Sequence, residues 1–315
     1  MKSRRATLTG RRASPGSSGS GPAEATRPRS SSSSSSEFEG GIREGTPVRY
    51  RARVEYDGTG FAGFQLQPGA RTVQGVLEAA LAALSGGVRR AVVGAGRTDA
   101  GVHALDQVVA FTYEGRLTAA ELERALNAHL PPDVAVRDLR RVPAGWHPRR
   151  AARYREYRYT VWNGPRSPLR ERYALGVRDP LDVAAMARAG SVLVGRHDFR
   201  AFGAADRQPV RTVHAVRVRR RGSVVMIDVR ADAFLRGMVR RIAAVLIEIG
   251  RGRADEAVVL AALASGRPAL HGAMAPAKGL CLRRVALGPL RPASSRPANC
   301  DGETRRDDND ERENV

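Results

Sequence analysis

The sequence predicts an α+β fold built from two α/β subdomains with mainly antiparallel sheet. Three observations lead there. Hydrophobic residues make up 42% of the 315-residue chain, enough for a sizeable core in one large domain or two of ordinary size. Strand-like and helix-like patterns alternate from about residue 48 to 287, but not as a regular strand–helix–strand repeat, which disfavours a doubly wound parallel sheet. The same mixture, several strands with about two helices, occurs twice, with a break near 143–152. The expected subdomains are 47–148 and 149–290.

In chain order, VRYRARVEYD (48–57) alternates arginines with apolar residues and reads as a strand. TVQGVLEAALAAL (72–84) spaces Val73, Val76, Leu77, Ala80, Leu81 and Leu84 helically, and Gly86-Gly87 stops it. Residues 89–94 and 107–113 read as strands. Thr118-x-x-Glu121 is a capping box opening a helix that ends before Pro131-Pro132. A strand follows at 134–141. In the second half, 153–162 (RYREYRYTVW) is a strand and 181–194 a helix. Strands 211–220 and 223–231 join at Gly222, helices span 235–250 and 255–265, and 280–287 is the last strand.

Outside this body lie two tails. Residues 1–46 are rich in Ser, Gly, Pro and Arg, with a serine run from Ser30 to Ser36, and read as disordered. Being acid-poor, the segment resembles an organellar transit peptide but lacks a convincing amphipathic helix. A basic RNA-touching arm and a mis-called start codon are equally open readings. Residues 291–315 read as a disordered acidic tail.

The formal net charge is +21, which predicts a polyanionic partner, nucleic acid first. No apolar run approaches the roughly 18 residues needed to span a bilayer, so a soluble protein with no membrane partner is expected. Two cysteines, Cys281 and Cys300, form no CxxC pair. The six histidines show no HxxxH or HxH spacing. Neither a disulfide framework nor a metal centre is expected, and a reducing compartment fits.

Three segments carry candidate chemistry. GAGRTDAGVHA (94–104) falls between two expected strands, a loop on a rigid scaffold. It is neither GxGxxG nor a GK[ST]-ended phosphate loop. Asp99 within it reads locally either as a turn cap bonding backbone amides or as the residue that performs the chemistry. Arg97 reads as a surface charge or as a functional one.

LRGMVRRIAAVLIEIG (235–250) is apolar nearly all round, with Met238, Ile242, Val245 and Ile249 on one face and Arg240 opposite. A buried guanidinium without a partner costs several kcal/mol, so Arg240 wants one. Glu248, a backbone carbonyl, or snorkelling to water alongside Arg236 would each serve. So would a catalytic aspartate. On the third segment, RYREYRYTVW, Tyr157 and Tyr159 share a face. They read as packing residues or as a stacking platform for an unpaired base amid arginines.

These residues resemble the tRNA pseudouridine synthase A (TruA) family over roughly 48–287. The pieces that carry the resemblance are EYDGTGFAGFQLQ (55–67), RTVQGVLEAAL (71–81), GAGRTDAGVHALDQVVAF (94–111), YREYRYTVWN (154–163), GRHDFRAF (195–202), DAFLRGMVRRI (232–242) and APAKGLCL (275–282). The resemblance implies sheets meeting around a basic central cleft, the pseudouridine synthase fold. It implies isomerisation of uridine to pseudouridine at positions 38, 39 and 40 of the tRNA anticodon stem–loop. It also implies a cytoplasmic homodimer that uses no cofactor and no metal. It places the catalytic aspartate on Asp99, its arginine partner on Arg240 and the active-site tyrosine on Tyr157. The base-displacing arginine falls on Arg97 and an apolar pocket residue on Leu280. Where family members usually read HMVRN, this chain reads GMVRR. Gly237 is therefore expected to weaken the helix by about 0.5–1 kcal/mol relative to alanine.

Under this resemblance the target nucleotide leaves the stack. Arg149, Arg150, Arg153, Arg155, Arg217 and Arg219 are candidate phosphate contacts, each also readable as a solvated surface charge. A catalytically inert RNA-binding module is one rival, against which the intact Asp99, Tyr157 and Arg240 speak. A nuclease or phosphotransferase using Asp99 on a metal is the other, against which the lack of a second carboxylate cluster speaks.

Overall fold

In the computed structural model, which describes residues 46–288, β1 (Val48–Tyr56) alternates as its sequence requires. Tyr50, Ala52, Val54 and Tyr56 are buried on one face, and the arginines between them turn to the other. Helix α1 (Val73–Ala83) starts at Thr72, whose side chain accepts from the Gly75 amide. Strands β2 (Val93–Gly94) and β3 (His103–Tyr113) flank the glycine-rich loop. The strand expected at 89–94 thus shrinks to two residues, while its partner begins four residues earlier than the alternation suggested. Helix α2 (Ala119–His129) carries the expected capping box, and β4 (Val134–Arg141) follows.

The second half opens with a short helix α3 (Pro148–Ala151), then β5 (Ala152–Trp162), α4 (Pro168–Glu171) and β6 (Leu175–Gly176). Next come α5 (Val183–Val192), β7 (Gly195–Asp198), β8 (Val210–Arg221) and β9 (Val224–Ala231). Gly222, at φ +57°, makes the β8–β9 turn. Helices α6 (Met238–Gly250) and α7 (Ala257–Ser265) precede the last strand, β10 (Leu280–Leu287). The expected tails lie outside the described residues, apart from residue 46, as does Cys300.

Among the described residues all ten strands join one mostly antiparallel sheet, in the order β4-β1-β3-β10-β5-β9-β8-β7, with β2 on β3 and β6 on β5. The two halves therefore share one sheet. The joint is β10, the last strand in the chain. It pairs antiparallel with β5, Leu282 opposite Tyr157 and Leu280 opposite Tyr159. Its parallel contact with β3 is only two residues long, Cys281 opposite His103 and Leu282 opposite Ala104. Beyond those two residues the Val285 amide of β10 donates to the Asp106 side chain of β3 at 3.2 Å. Burial pushes the Cys281 thiol up to about 11, so this cysteine stays protonated and unreactive.

Helix α6 lies on the second half of the sheet, with Met238, Ile242, Ala243 and Leu246 fully buried. It begins three residues later than the sequence suggested. Gly237 is its N-cap, at φ +74°, a conformation in which glycine is favoured over other residues. The helix-interior cost expected for Gly237 therefore does not apply. A Cβ there would also sit 2.6 Å from Arg241 Nη1 and 3.2 Å from Met274 Sδ.

A second tie between the halves runs through Asp57. Its Oδ1 accepts from the Thr59 amide (3.0 Å) and hydroxyl (2.6 Å), and its Oδ2 from Arg172 Nε and the Tyr173 hydroxyl, both at 2.9 Å. His103 Nδ1 lies 3.1 Å from Oδ1. Burial alone would raise the Asp57 carboxyl, but the Thr59 and Tyr173 hydrogen bonds and the nearby His103 outweigh it and hold it down at about 2. A depressed carboxylate stabilises the fold above its unfolded value and loses that contribution as pH falls through the folded one. Asp57→Asn should therefore lower the urea midpoint at pH 7. The gap from the parent protein should close between about pH 4 and about pH 2. Urea titrations of both proteins across that window check this.

Candidate active site

The glycines of GAGRTDAGVHA serve separate purposes. Gly94 is approached closely: a Cβ there would meet the Phe64 ring at 2.6 Å. Gly101 bends the chain, at φ +76°. Between them the backbone is held from several sides. The Phe64 amide donates to Thr98 O (3.1 Å), the Gly101 amide to Phe61 O (3.2 Å) and the Ala95 amide to Val108 O (2.7 Å). Gln107, fully buried, donates through Nε2 to Gly96 O. Beneath the loop, the Tyr56 hydroxyl and Thr98 Oγ1 are 2.8 Å apart. A loop so tied presents its side chains at fixed positions, as a reacting group requires.

The turn after Asp99 is closed by backbone, the Val102 amide donating to Asp99 O at 3.2 Å. That leaves the Asp99 carboxylate for Arg240. Nη1 of Arg240 donates to Asp99 Oδ2 at 3.3 Å across 141 residues of sequence, with the side chains 15% and 27% exposed. Nε of the same guanidinium donates to Ala275 O at 2.8 Å. Arg240 thus takes a carboxylate and a carbonyl together. Glu248, a possible local partner, instead pairs with Arg251 and Arg253.

Asp99 and Arg97 line a cavity of about 520 Å³, together with Tyr157, Leu280, Arg149 and Arg155. This volume suits a nucleoside-sized group. Tyr157 is 8% exposed and meets the Phe234 ring edge-on at 5.1 Å. Burial pushes its phenol upward, so it remains a neutral surface, not a base. Arg149 is held below the usual arginine value, first by burial and then by the charge of Arg97. These two cations share the cavity wall, and no hydrogen bond or ion pair joins either side chain to a carboxylate among the described residues. That is the arrangement of an anion site.

The remaining arginine candidates lie elsewhere. Arg150 is exposed, with Nη2 donating to Gly145 O. Arg153 is exposed, and neither residue lines the cavity. On β8, Arg217 is exposed and Arg219 is paired with Asp228 at 2.5 Å, both away from the cavity. Sequence reasoning did not single out Phe234 or Arg211, and named Arg236 only as a side chain that could snorkel to water; all three also line the cavity. Phe234 and Arg236 lie in the segment that supplies Arg240, and Arg211 opens β8. Among the described residues, no three His, Cys, Asp or Glu side chains converge as a metal site would require. Nor is any helix among them long and apolar enough to cross a membrane.

With this geometry in place, comparison with known proteins defines the class. The sequence model described as tRNA pseudouridine synthase matches residues 52–149 and 189–286. The chain is 44% identical over 243 residues to tRNA pseudouridine synthase A of Syntrophotalea carbinolica, covering 76% of this chain and 96% of that protein. It is 43% identical over 263 residues to the protein of the same name from Myxococcus xanthus, covering 81% and 98%. The chain belongs to the tRNA pseudouridine synthase A family.

The loop's packing exposes it to a single methyl group. Gly63, at φ +107°, would place a Cβ 2.9 Å from Thr98 O and 3.3 Å from the Ala100 amide nitrogen. Neither backbone atom can swing aside as a side chain would. Gly63→Ala should lower the thermal midpoint. It should also reduce pseudouridine formation on tRNA by about 100-fold, the scale of a misplaced reacting group. Melting curves and turnover assays on the same preparation check both.

Proposed function

We propose that this protein isomerises uridine to pseudouridine at positions 38, 39 and 40 of the tRNA anticodon stem–loop, with Asp99 as the essential group. The observation that carries this reading is the Asp99–Arg240 pair, set in a basic cavity of nucleoside size beside the buried face of Tyr157. The reaction breaks the N1–C1′ bond, turns the uracil and joins C5 to C1′, while the C5 hydrogen is exchanged for one at N1. A base stacked in a stem cannot turn, so the nucleotide must leave the stack. In this reading Arg97 fills the vacated space, Tyr157 stacks on the uracil, and Leu280 closes the apolar side.

Asp99 then acts at the sugar. It either attacks C1′ as a nucleophile or removes the C2′ proton to give a glycal, and both routes need the carboxylate that Arg240 orients. Arg149 and the exposed Arg150 and Arg153 take flanking phosphates. The same reading carries a cytoplasmic homodimer working without a cofactor, each chain with subdomains 47–148 and 149–290. The neighbour of Asp99 is a guanidinium and not a second carboxylate, which favours this chemistry over metal-assisted phosphoryl transfer.

Asp99→Asn should abolish product while leaving binding of anticodon stem–loop RNA intact, measured by nucleoside analysis and by filter binding. Arg240→Lys keeps the charge but cannot serve Asp99 and Ala275 O together, so its turnover should fall as well. Binding to the same RNA should weaken steeply as salt rises, with log K falling linearly in log salt. A salt-independent affinity would contradict the phosphate contacts assigned to Arg149, Arg150 and Arg153.

A further inference from the structure

Arg155 reads in the sequence as one more phosphate contact, but its guanidinium is already engaged. Nη1 donates to Asp232 O at 2.6 Å. Nη2 donates to Ala95 O at 2.8 Å and reaches Arg149 O at 3.4 Å. The carboxylate of Asp232 is turned elsewhere, accepting from the Thr212 and Ala233 amides. Arg155 is therefore a half-buried cation balanced by carbonyl dipoles, with no carboxylate hydrogen-bonded to it among the described residues. If the side chain were only filler, an apolar residue would be the cheaper choice. What the guanidinium adds is two donor directions in one rigid plane.

Those two directions lead to the two halves of the site. Ala95 opens the loop that carries Arg97 and Asp99. Asp232 follows β9 and begins the segment that runs through Phe234 and Gly237 into α6, which carries Arg240. The ion pair is long, 3.3 Å, and makes one contact between the two segments. Arg155 supplies another from the floor of β5, within the same cavity wall.

We propose that Arg155 is a positioning residue for the reaction. By holding Ala95 O and Asp232 O on one guanidinium, it sets the spacing between the Asp99 loop and the approach to α6, and with it the geometry of Asp99 against Arg240. This inference rests on the function proposed above. Lysine keeps the charge but offers one ammonium on a flexible stem, so it can serve one carbonyl at a time.

The test uses the full chain as parent, Arg155→Met and Arg155→Lys, with anticodon stem–loop RNA. Affinity, its salt slope, the single-turnover rate in saturating RNA, and amide exchange across 92–102 and across α2 are measured. Arg155→Met should bind within about twofold of the parent with an unchanged salt slope, while its bound-state rate falls about 100-fold. Arg155→Lys should recover part of that loss, to about 10-fold below the parent. Exchange should quicken in 92–102 and stay unchanged in α2.

Weaker binding, a shallower salt slope and a parental rate once bound would make Arg155 a phosphate contact and overturn the proposal. So would parental exchange in 92–102, or loss of the folded state in Arg155→Lys, which would assign it a global structural role. If the parent itself formed no pseudouridine, the proposed function would fail, and the exchange measurement would still decide whether Arg155 clamps the loop.

Discussion

The pairing of β10 between β3 and β5 is the constraint on which the rest of the structure depends. The chain finishes its second half, then returns its last strand to the centre of the sheet. Leu282 is fully buried there, opposite Tyr157 on one side and Ala104 on the other. The β3–β10 ladder is only two residues long, and beyond it the Val285 amide donates to the Asp106 carboxylate. The cavity wall takes Val102 from one half, Tyr157 from the other and Leu280 from β10 itself.

Long-range contacts of this kind do not arise from local pattern. Four groups meet around the loop: Arg155 on Ala95 O, Gln107 on Gly96 O, the Tyr56 hydroxyl on Thr98, and Arg240 on Asp99. They come from β5, β3, β1 and α6. Each satisfies a polar group that would otherwise be costly to bury. The loop is held in one arrangement by these contacts, so the Asp99 carboxylate is fixed in place in advance.

What the sequence makes legible follows from the range of the interactions involved. The start of α2 at Thr118, and the strand runs of β1, β4, β5 and β9, rest on a cap and on alternation, and both are local. The need of Arg240 for a partner was also legible, because an apolar helix makes a lone arginine conspicuous. Three features were not. The single sheet depends on where β10 pairs, and alternation in LCLRRVAL does not name its neighbours. The start of α6 depends on the left-handed conformation of Gly237, which apolar spacing through LRGMVRR hides. The role of Arg155 depends on two carbonyl oxygens at Ala95 and Asp232, and backbone acceptors leave no mark in a sequence. The alternating arginines of RYREYRY look alike on paper. In space Arg158 pairs with Asp228, Arg153 faces solvent, and Arg155 turns inward.

In the function proposed here, this cavity receives a uridine of the tRNA anticodon arm and rejoins it through carbon. The most direct measurement is site-by-site mapping of pseudouridine in tRNA from a strain lacking this protein. The account predicts loss confined to positions 38, 39 and 40, restored when the intact chain is supplied. Unchanged modification at those positions, with loss at other sites or none, would contradict it.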